Sequence, residues 1–441
     1  MTDYEKFIWE QARKCRESSG FDKSLYERHH VKLGLRDRDG KGVVAGLTNI
    51  SRVTGYTTVD GHTVPCKGRL TYRGYPIDDL IKAQGSEKGL FEKCAYLLLF
   101  NELPDDDQLS EFRVYLNRQM TLPSYFVKEV ILRENGNDVM NTMSRCVMNL
   151  AMYDRDVSDM SVEKALKNCI NIIGSMPLFA VYGYQAYAHY DMGESLLIVN
   201  PDPKLTVAEN ILRMLNPQHQ YTDLEAMVLD RLLVLHMEHG GGNNSTFTAR
   251  VVTSTGSDTY SVIVAALMSL KGPRHGGANL KVSAMTQNIR ENVSDITDPE
   301  EMKSYLRRIV NRDAFDKSGL VYGMGHAVYT LSDPRAEILR SLAEKLAEAD
   351  GRSDEFRMYR LIEELSPDLI RERHDAGPVC ANVDLYSGFV YELLGIPSDL
   401  YTPMFAMART VGWCAHHLEE ISSSNKIIRP AYVSVTENKD L

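Results

Sequence analysis

Apolar residues recur at helical spacing along most of this chain, and candidate strands are few. Between residues 336 and 349 the apolar positions lie on one helical face: Ile338, Leu342, Leu346 and Ala349. Charged residues occupy the opposite face of this segment. Asp333 fits the N-cap and Pro334 the first helical position. The pattern predicts an amphipathic helix that starts beside this Asp-Pro pair.

Two later segments show the same periodicity. In the first, apolar residues again recur every three or four positions: Met404, Ala408, Val411, Ala415 and Leu418. In the second, Leu385, Phe389 and Leu393 follow a candidate cap at Asp384. Residues 57–64 fit short strands or a loop. The predicted fold class is therefore mainly α, with only a minor β-hairpin, and no composition break separates the domains cleanly.

The net charge of the chain indicates which classes of binding partner to expect. The 441 residues include 50 Lys and Arg against 60 Asp and Glu, which gives a formal net charge of −10. This balance lacks the basic footprint of a nucleic-acid-binding protein, so an anionic ligand would need a locally basic pocket. One of the longest apolar runs covers residues 262–268, and a bilayer-spanning helix needs about 18 or more. We expect no nucleic acid and no membrane as partners.

Cysteine usage indicates the compartment. The 7 cysteines are odd in number, widely spaced and never arranged as Cys-x-x-Cys. The first fifteen residues carry no apolar leader segment with a small-residue cleavage site. We therefore expect reduced thiols and a cytoplasmic protein.

Common cofactor and metal motifs are missing or incomplete. The sequence holds no Walker A pattern. Gly323-Met324-Gly325 opens like a dinucleotide fingerprint, but position 328 is Val and no βαβ pattern surrounds it. His236 and His239 lie three residues apart, which is a weak zinc signal without further ligands. No metal site is predicted.

Polar residues in glycine-rich settings form four clusters, and each has an ordinary structural explanation. Residues 236–246 follow a helix, so the glycines there fit a C-terminal cap. Within residues 272–279, His275 fits either an incidental turn or a helix N-terminus. There the protonated imidazole is disfavoured, and the neutral ring can donate a hydrogen bond.

The other two clusters hold an arginine and an aspartate. Residues 323–326 are followed by Arg335, which suits either a carboxylate ligand at a helix N-terminus or a surface position opposite Glu337. In residues 382–388, Asp384 fits either a plain N-cap or an acid with a functional role. Each cluster alone leaves both alternatives open.

The order and sequence of the four clusters resemble the citrate synthase family. The motifs are Gly-Pro-Arg-His-Gly-Gly-Ala-Asn at 272–279, Gly-Met-Gly-His-Ala-Val at 323–328 and Asp-Pro-Arg at 333–335. The resemblance extends from residues 70–77 through 95–100 to 429–433, and so covers most of the chain. The first two motifs, with the downstream Asp-Pro-Arg, are specific to this family.

The resemblance implies an acyltransferase of the tricarboxylic acid cycle. It would condense acetyl-CoA with oxaloacetate and hydrolyse citryl-CoA to citrate and CoA. No tightly bound cofactor is implied, since acetyl-CoA and CoA are co-substrate and product. The implied fold is a helical homodimer whose subunits have a large domain, 1–276 and 395–441, and a smaller mobile domain, 277–394. The joints would be Gly276-Gly277 and Gly395.

The family pattern also assigns roles to residues. Asp384 resembles the base that removes a methyl proton from acetyl-CoA, and His275 the neutral donor to the enol oxygen. His326 resembles the donor to the oxaloacetate carbonyl. The residues expected to bind oxaloacetate are His239, Arg335, Arg409 and, from the neighbouring subunit, Arg429. The backbone at Val321, Gly323 and Gly325 would approach the CoA adenine, and Arg371 or Arg373 a CoA phosphate.

The position of Asp384 raises a question about its basicity. As an N-cap it would have a depressed pKa, because backbone N–H groups favour the anion. Closure of the small domain would offset this by removing water around the carboxylate.

Several activities remain open. 2-Methylcitrate synthase would use propionyl-CoA with the same residues, and one methylene contributes only about 1–3 kcal/mol to discrimination. Citrate cleavage is disfavoured, since the extra modules associated with it are absent. A non-catalytic sensor of CoA or dicarboxylates is disfavoured because His275, His326 and Asp384 are all retained.

Overall fold

The computed structural model describes residues 1–37, 42–133, 136–374, 377–423 and 426–436. The chain divides into two compact units. The terminal unit comprises Met1–Leu47 and Arg429–Leu441, and the central unit comprises Thr48–Ile428.

The terminal unit contains two helices and a 3₁₀ turn. Helix α1 spans Asp3–Ser19, α2 spans Lys23–Arg28, and the 3₁₀ turn spans Leu33–Leu35. A capping box fixes the start of α1, because Thr2 accepts from the backbone N–H of Glu5 and the Glu5 side chain accepts from the N–H of Thr2. No residue of α1 is buried.

The central unit begins with a small antiparallel sheet. Strand β1 spans Ser51–Val59, β2 spans His62–Tyr72 and β3 is the short Tyr75–Pro76. The two-residue turn Asp60-Gly61 has positive φ at both positions, 49° and 81°, which matches the twist of the paired strands. The predicted minor hairpin is confirmed, although its strands extend well beyond residues 57–64.

Helices make up the rest of the central unit. Those before the first glycine-rich cluster are α3 Ile77–Gln84, α4 Leu90–Phe100, α5 Asp106–Gln119, α6 Val139–Ala151, α7 Val162–Met192, α8 Val207–Leu215 and α9 Asp223–Met237, with a π-helical turn at Val127–Leu132. Those after it are α10 Asn244–Thr253, α11 Thr259–Lys271, α12 Ala278–Asn292, α13 Pro299–Val310, α14 Pro334–Ala349, α15 Ser353–His374, α16 Val383–Leu393 and α17 Tyr401–Ser423, with a 3₁₀ turn at Ser398–Leu400. The predicted mainly helical class is confirmed.

The predicted helix after Asp333 is also confirmed. Asp333 is its N-cap, accepting from the backbone N–H of Arg335 at 3.0 Å, and Pro334 is the first helical residue. The buried face differs from the prediction, because Ile338 is only half-buried and Ala349 is exposed. Since α14 packs against both α15 and α16, its buried stripe is displaced: it comprises Leu339, Leu342, Ala343, Leu346 and Ala347.

The core of the central unit is built around two long helices. Both α7 and α17 are buried along most of their length, and they pack against each other. Helix α17 also contacts α9 and α10, which flank the first glycine-rich cluster. Within the described residues, every helix is too short or too polar to cross a lipid bilayer.

Candidate functional site

A cavity of about 160 Å³ in the central unit brings the polar clusters together. A water molecule takes up about 30 Å³ in the liquid, so the cavity holds several waters and is large enough for a small organic acid. Its lining contains six of the residues predicted from sequence: His239, His275, His326, Arg335, Asp384 and Arg409. Segments separated by more than a hundred residues therefore meet at one place.

Pairing of two loops brings His326 near Asp384. Met324 forms an isolated antiparallel bridge with Ala381. The Asn382 side chain donates to the Gly325 carbonyl at 2.7 Å, and its backbone N–H donates to the Gly323 carbonyl at 2.9 Å. The loop that carries His326 is thereby fixed to the start of α16.

Gly323 is required for this close approach. Its φ is +83°, and a Cβ at this position would lie 2.9 Å from the Cα of Leu385. The tight approach is therefore made to helix α16 of the same chain. Whether CoA also contacts this backbone stays a prediction, as it does for Gly325 and for the buried Val321.

Asp384 is not the N-cap of its helix. Asn382 is the N-cap, and its side chain accepts from the backbone N–H of Asp384 at 2.9 Å. Asp384 lies in the first turn, and the expected depression of its pKa is wrong. Burial raises this pKa from 3.8 to about 6, although Arg335 and Arg409 oppose the rise. The carboxylate is thus a stronger base than an exposed aspartate.

The hydrogen bonds of His326 fix its tautomer. Its Nδ1 accepts from the backbone N–H groups of Val328, at 3.0 Å, and Tyr329, at 3.1 Å. A nitrogen that accepts from backbone N–H groups carries no proton, so the proton of the neutral ring is on Nε2. The ring therefore has a donor at Nε2.

His275 lies in a turn and not at a helix N-terminus, because α12 begins only at Ala278. Its Nε2 lies 3.1 Å from the hydroxyl oxygen of Ser245, and Trp413 Nε1 donates to that oxygen at 3.2 Å. Burial, followed by the charge of Arg409, lowers the pKa of His275 to about 4. The ring is neutral at physiological pH, as predicted, but the cause is burial.

Arg335 is buried, so a surface role opposite Glu337 is excluded. Its Nε and Nη2 donate to the two carboxylate oxygens of Asp333 at 3.0 and 2.7 Å. Although burial disfavours the charge, Asp333 raises the pKa of Arg335. This bidentate pair holds the guanidinium in the cavity wall over the Tyr329 ring.

Arg409 and His239 complete the polar lining. Arg409 is fully buried on α17, and its Nε donates to the His236 carbonyl at 2.6 Å. Burial lowers its pKa to about 10, while the Glu238 carboxylate opposes this shift. His239 Nε2 lies 3.3 Å from the Tyr329 hydroxyl. Burial, with Arg335 next, lowers the pKa of His239 well below 6.5.

Other predicted residues lie away from this lining. Arg429 belongs to the terminal unit, so its part in the site stays a prediction. Arg371 is exposed and paired with Asp368, and Arg373 is exposed. The division into residues 1–276, 277–394 and 395–441 also stays a prediction. At the first joint, a Cβ on Gly276 would lie 2.3 Å from the Leu270 carbonyl oxygen, so packing alone requires glycine there.

Several residues of the cavity lining have no role that the sequence predicts. Three are asparagines within or beside the quoted motifs, and two are apolar residues of α16 and α17: Asn243, Asn279, Asn382, Val383 and Phe405. Asn279 is buried, and its side-chain oxygen has no hydrogen-bond partner among the described residues. The only feature of the sequence that could have pointed to these asparagines is that each lies close to a predicted site residue.

The arrangement suits proton abstraction from a carbon acid beside a bound anion. A carboxylate with a raised pKa can accept a proton near neutral pH, and neutral imidazole N–H groups can stabilise the oxygen charge that develops. The two buried guanidinium groups supply positive charge for a carboxylate ligand.

Comparisons with known proteins agree with this geometry. The family model "Citrate synthase, C-terminal domain" matches residues 35–431. Citrate synthase of Haloferax volcanii is 36% identical over 380 residues, which cover 85% of this chain and 91% of that protein. Citrate synthase 2 of Bacillus subtilis is 33% identical, with 88% and 93% covered.

Solved structures show the same similarity. A ternary complex of citrate synthase from Thermoplasma acidophilum with carboxymethyl coenzyme A and oxaloacetate aligns with a TM-score of 0.74 at 25% identity, covering 93% of this chain and 97% of that one. Citrate synthase from Pyrobaculum aerophilum aligns with a TM-score of 0.74 at 29% identity, covering 91% and 92%. Sequence and structure together show that the chain belongs to the citrate synthase family.

Proposed function

We propose that this protein condenses acetyl-CoA with oxaloacetate and hydrolyses the citryl-CoA formed, releasing citrate and CoA. The observation that carries the proposal is the convergence of Asp384, His275 and His326 on one cavity with two buried arginines. It is also supported by membership of a family whose named relatives are citrate synthases.

In the first step, Asp384 removes a proton from the acetyl methyl group. The methyl proton is weakly acidic, so the enol oxygen needs a donor as its charge develops. His275 supplies that donor as a neutral ring. Its Nδ1 carries the ring proton and donates to the substrate oxygen, while its Nε2 accepts from the Ser245 hydroxyl, 3.1 Å away, which turns to it from Asn243 Oδ1.

In the second step, the enol carbon attacks the oxaloacetate carbonyl. His326 donates from Nε2 to the carbonyl oxygen and stabilises the alkoxide. Arg335, Arg409 and His239 bind the oxaloacetate carboxylates. Water then cleaves the citryl thioester. The backbone at residues 321, 323 and 325 would contact the adenine of CoA, which acts as co-substrate and product without a tightly bound cofactor.

The test is release of CoA from acetyl-CoA in the presence of oxaloacetate. Loss of thioester absorbance is the suitable signal, because the exposed Cys15 would react with a thiol reagent. We expect turnover by the wild-type protein and a loss of about 10²–10⁴-fold in Asp384→Asn. Asp399→Asn is the matched control, since that acid is exposed and lies outside the cavity.

Each other result has a defined meaning. Faster turnover of propionyl-CoA than of acetyl-CoA would identify a 2-methylcitrate synthase. If CoA is released from neither thioester, the proposed enzymatic activity is refuted and a binding protein is favoured. Near-normal turnover by Asp384→Asn would eliminate the proposed base.

We also infer a homodimer in which Arg429 of one subunit completes the site of the other, and a small domain, 277–394, that moves. Mixed dimers of Arg429→Ala and Asp384→Asn test the exchange. One of their two sites would regain both residues, so activity should reappear on mixing. Mixtures as inactive as the two parent variants would contradict the shared site.

The cytoplasmic location remains a prediction from sequence.

A further inference from the structure

A chain of buried polar side chains lies behind the cavity wall. It begins at Glu238, which directly precedes His239, and continues through His416 on α17 to Arg250 on α10. Arg250 pairs in turn with Glu420, at 2.7 Å, and with Glu419. Glu238 and His416 are both fully buried. None of these residues lines the cavity, and the reaction steps above do not use them.

The donors along this chain set the proton position on His416. Arg250 donates to its Nδ1 from Nε at 3.1 Å and from Nη2 at 2.7 Å. Since an arginine side chain cannot accept a hydrogen bond, Nδ1 of His416 is the acceptor and its Nε2 carries the proton. Nε2 therefore donates to Glu238 Oε1 at 2.9 Å.

Three donors hold the Glu238 carboxylate in place. Besides His416, its Oε1 accepts from the Ser51 hydroxyl at 2.7 Å and from the Gly240 backbone N–H at 2.6 Å. Burial disfavours the anion, but the hydrogen bonds from His416 and Ser51, together with the Arg409 charge, lower the pKa of Glu238 below its usual 4.5. The carboxylate is ionised, and Glu238 does not line the cavity.

The two arginines of the cavity differ in how their charge is balanced. Asp333 occupies two nitrogens of Arg335 directly. Arg409 and Glu238 both lie in the described part of the chain, and no ion pair joins them, although the Glu238 charge raises the pKa of Arg409. Arg409 Nη1 and Glu238 Oε2 are each buried and have no hydrogen-bond partner in the described part of the chain. Glu238 thus balances the Arg409 charge without taking its donors.

We propose that His416, oriented by Arg250, is a positioning residue for oxaloacetate: it restrains the Glu238 carboxylate so that Arg409 keeps its guanidinium donors for the substrate. This rests on the proposed function, since it takes oxaloacetate as the ligand of Arg409. Without the His416 donor, Glu238 is free to rotate toward Arg409 and compete with the substrate carboxylate. The Gly240 backbone N–H, beside His239, then keeps only the Ser51 hydroxyl oxygen, at 3.1 Å, as its acceptor.

The experiment compares two adjacent buried histidines of α17. His416→Leu removes the donor to Glu238. His417→Leu is the matched control, because His417 is equally buried but contacts Thr253 and Thr259. Oxaloacetate affinity is measured by calorimetry without acyl-CoA. We expect His416→Leu to weaken it by about tenfold or more, as for a lost hydrogen bond to a charged group, and His417→Leu by less than about threefold.

Steady-state kinetics and a conservative variant distinguish a role in positioning oxaloacetate from a general disruption of the fold. In His416→Leu the KM for oxaloacetate should rise by about tenfold while kcat and the KM for acetyl-CoA stay within about threefold. His416→Gln retains an N–H near the Nε2 position and should restore most of the affinity. If His416→Leu does not fold, Ser51→Ala removes another donor to Glu238 from a half-buried strand position and should weaken oxaloacetate binding about threefold or more.

The results that overturn the inference are distinct from those that overturn the function. Unchanged oxaloacetate affinity in His416→Leu or in the Ser51→Ala substitute refutes the positioning role, and so does an equal loss in His417→Leu. A wild-type protein that binds no oxaloacetate refutes the proposed function and the inference together.

Discussion

Burial of the Asp384 carboxylate predicts that the proposed base destabilises the folded protein. Its pKa rises from 3.8 to about 6 on folding, with burial as the largest cause. At about 1.4 kcal/mol for each tenfold change in proton affinity, this rise corresponds to about 3 kcal/mol. The folded chain binds this proton more tightly than the unfolded chain, so stability falls as the pH rises between these two values and stays low above about 6.

Replacing Asp384 by Asn removes the charge and keeps the shape of the side chain. At about pH 8 we expect Asp384→Asn to be more stable than the wild-type protein by up to about 3 kcal/mol. At pH 5, midway between the two pKa values, the gain should fall to about half. Equilibrium unfolding in urea, followed by circular dichroism at one fixed protein concentration, measures the difference at both pH values.

Glu300→Gln is the control for this measurement. Glu300 lies at the second position of α13, as Asp384 does in α16, but it is exposed. Its neutral variant should change the free energy of unfolding by no more than about 0.5 kcal/mol, and in the destabilising direction. An Asp384→Asn protein that is no more stable than wild type at pH 8, or whose gain does not shrink at pH 5, would refute the burial argument.

Three further outcomes follow from the site. The value of kcat/KM for acetyl-CoA should fall about tenfold for each fall of one in pH below about 6, where Asp384 protonates, and a flat profile there would contradict its role. Ser245→Ala should lower kcat about tenfold, because His275 loses its ring partner; an unchanged kcat in the same thioester assay would show that this contact is dispensable. Gly323→Ala should destabilise the protein by about 1–3 kcal/mol more than Gly351→Ala, which has a similar positive φ but open space around it, and equal urea midpoints would argue against the clash.

The positions of several helices could be predicted from sequence. The helix after Asp333 starts where its Asp-Pro pair indicated, because a cap and a fixed proline φ are local properties. Helices α16 and α17 likewise cover their predicted apolar repeats. The motifs that resemble the citrate synthase family named six residues that now line one cavity.

What sequence could not supply is the environment of those residues. Asp384 looked like a cap with a depressed pKa, yet Asn382 is the cap and burial raises the pKa. Arg335 fitted a surface position, and packing buries it beside Asp333. Both outcomes depend on how much water the surrounding helices exclude.

The hydrogen-bond network behind the cavity could not be predicted from sequence either. Glu238 and His416 lie 178 positions apart, and neither was singled out from sequence. The amino-acid sequence by itself determined which segments are helical and which residue types carry the chemistry, because capping, helical periodicity and motif spacing are local. Only the tertiary structure decided which charges are desolvated and which donors face one another, because desolvation and hydrogen-bond geometry depend on groups brought together from distant parts of the chain.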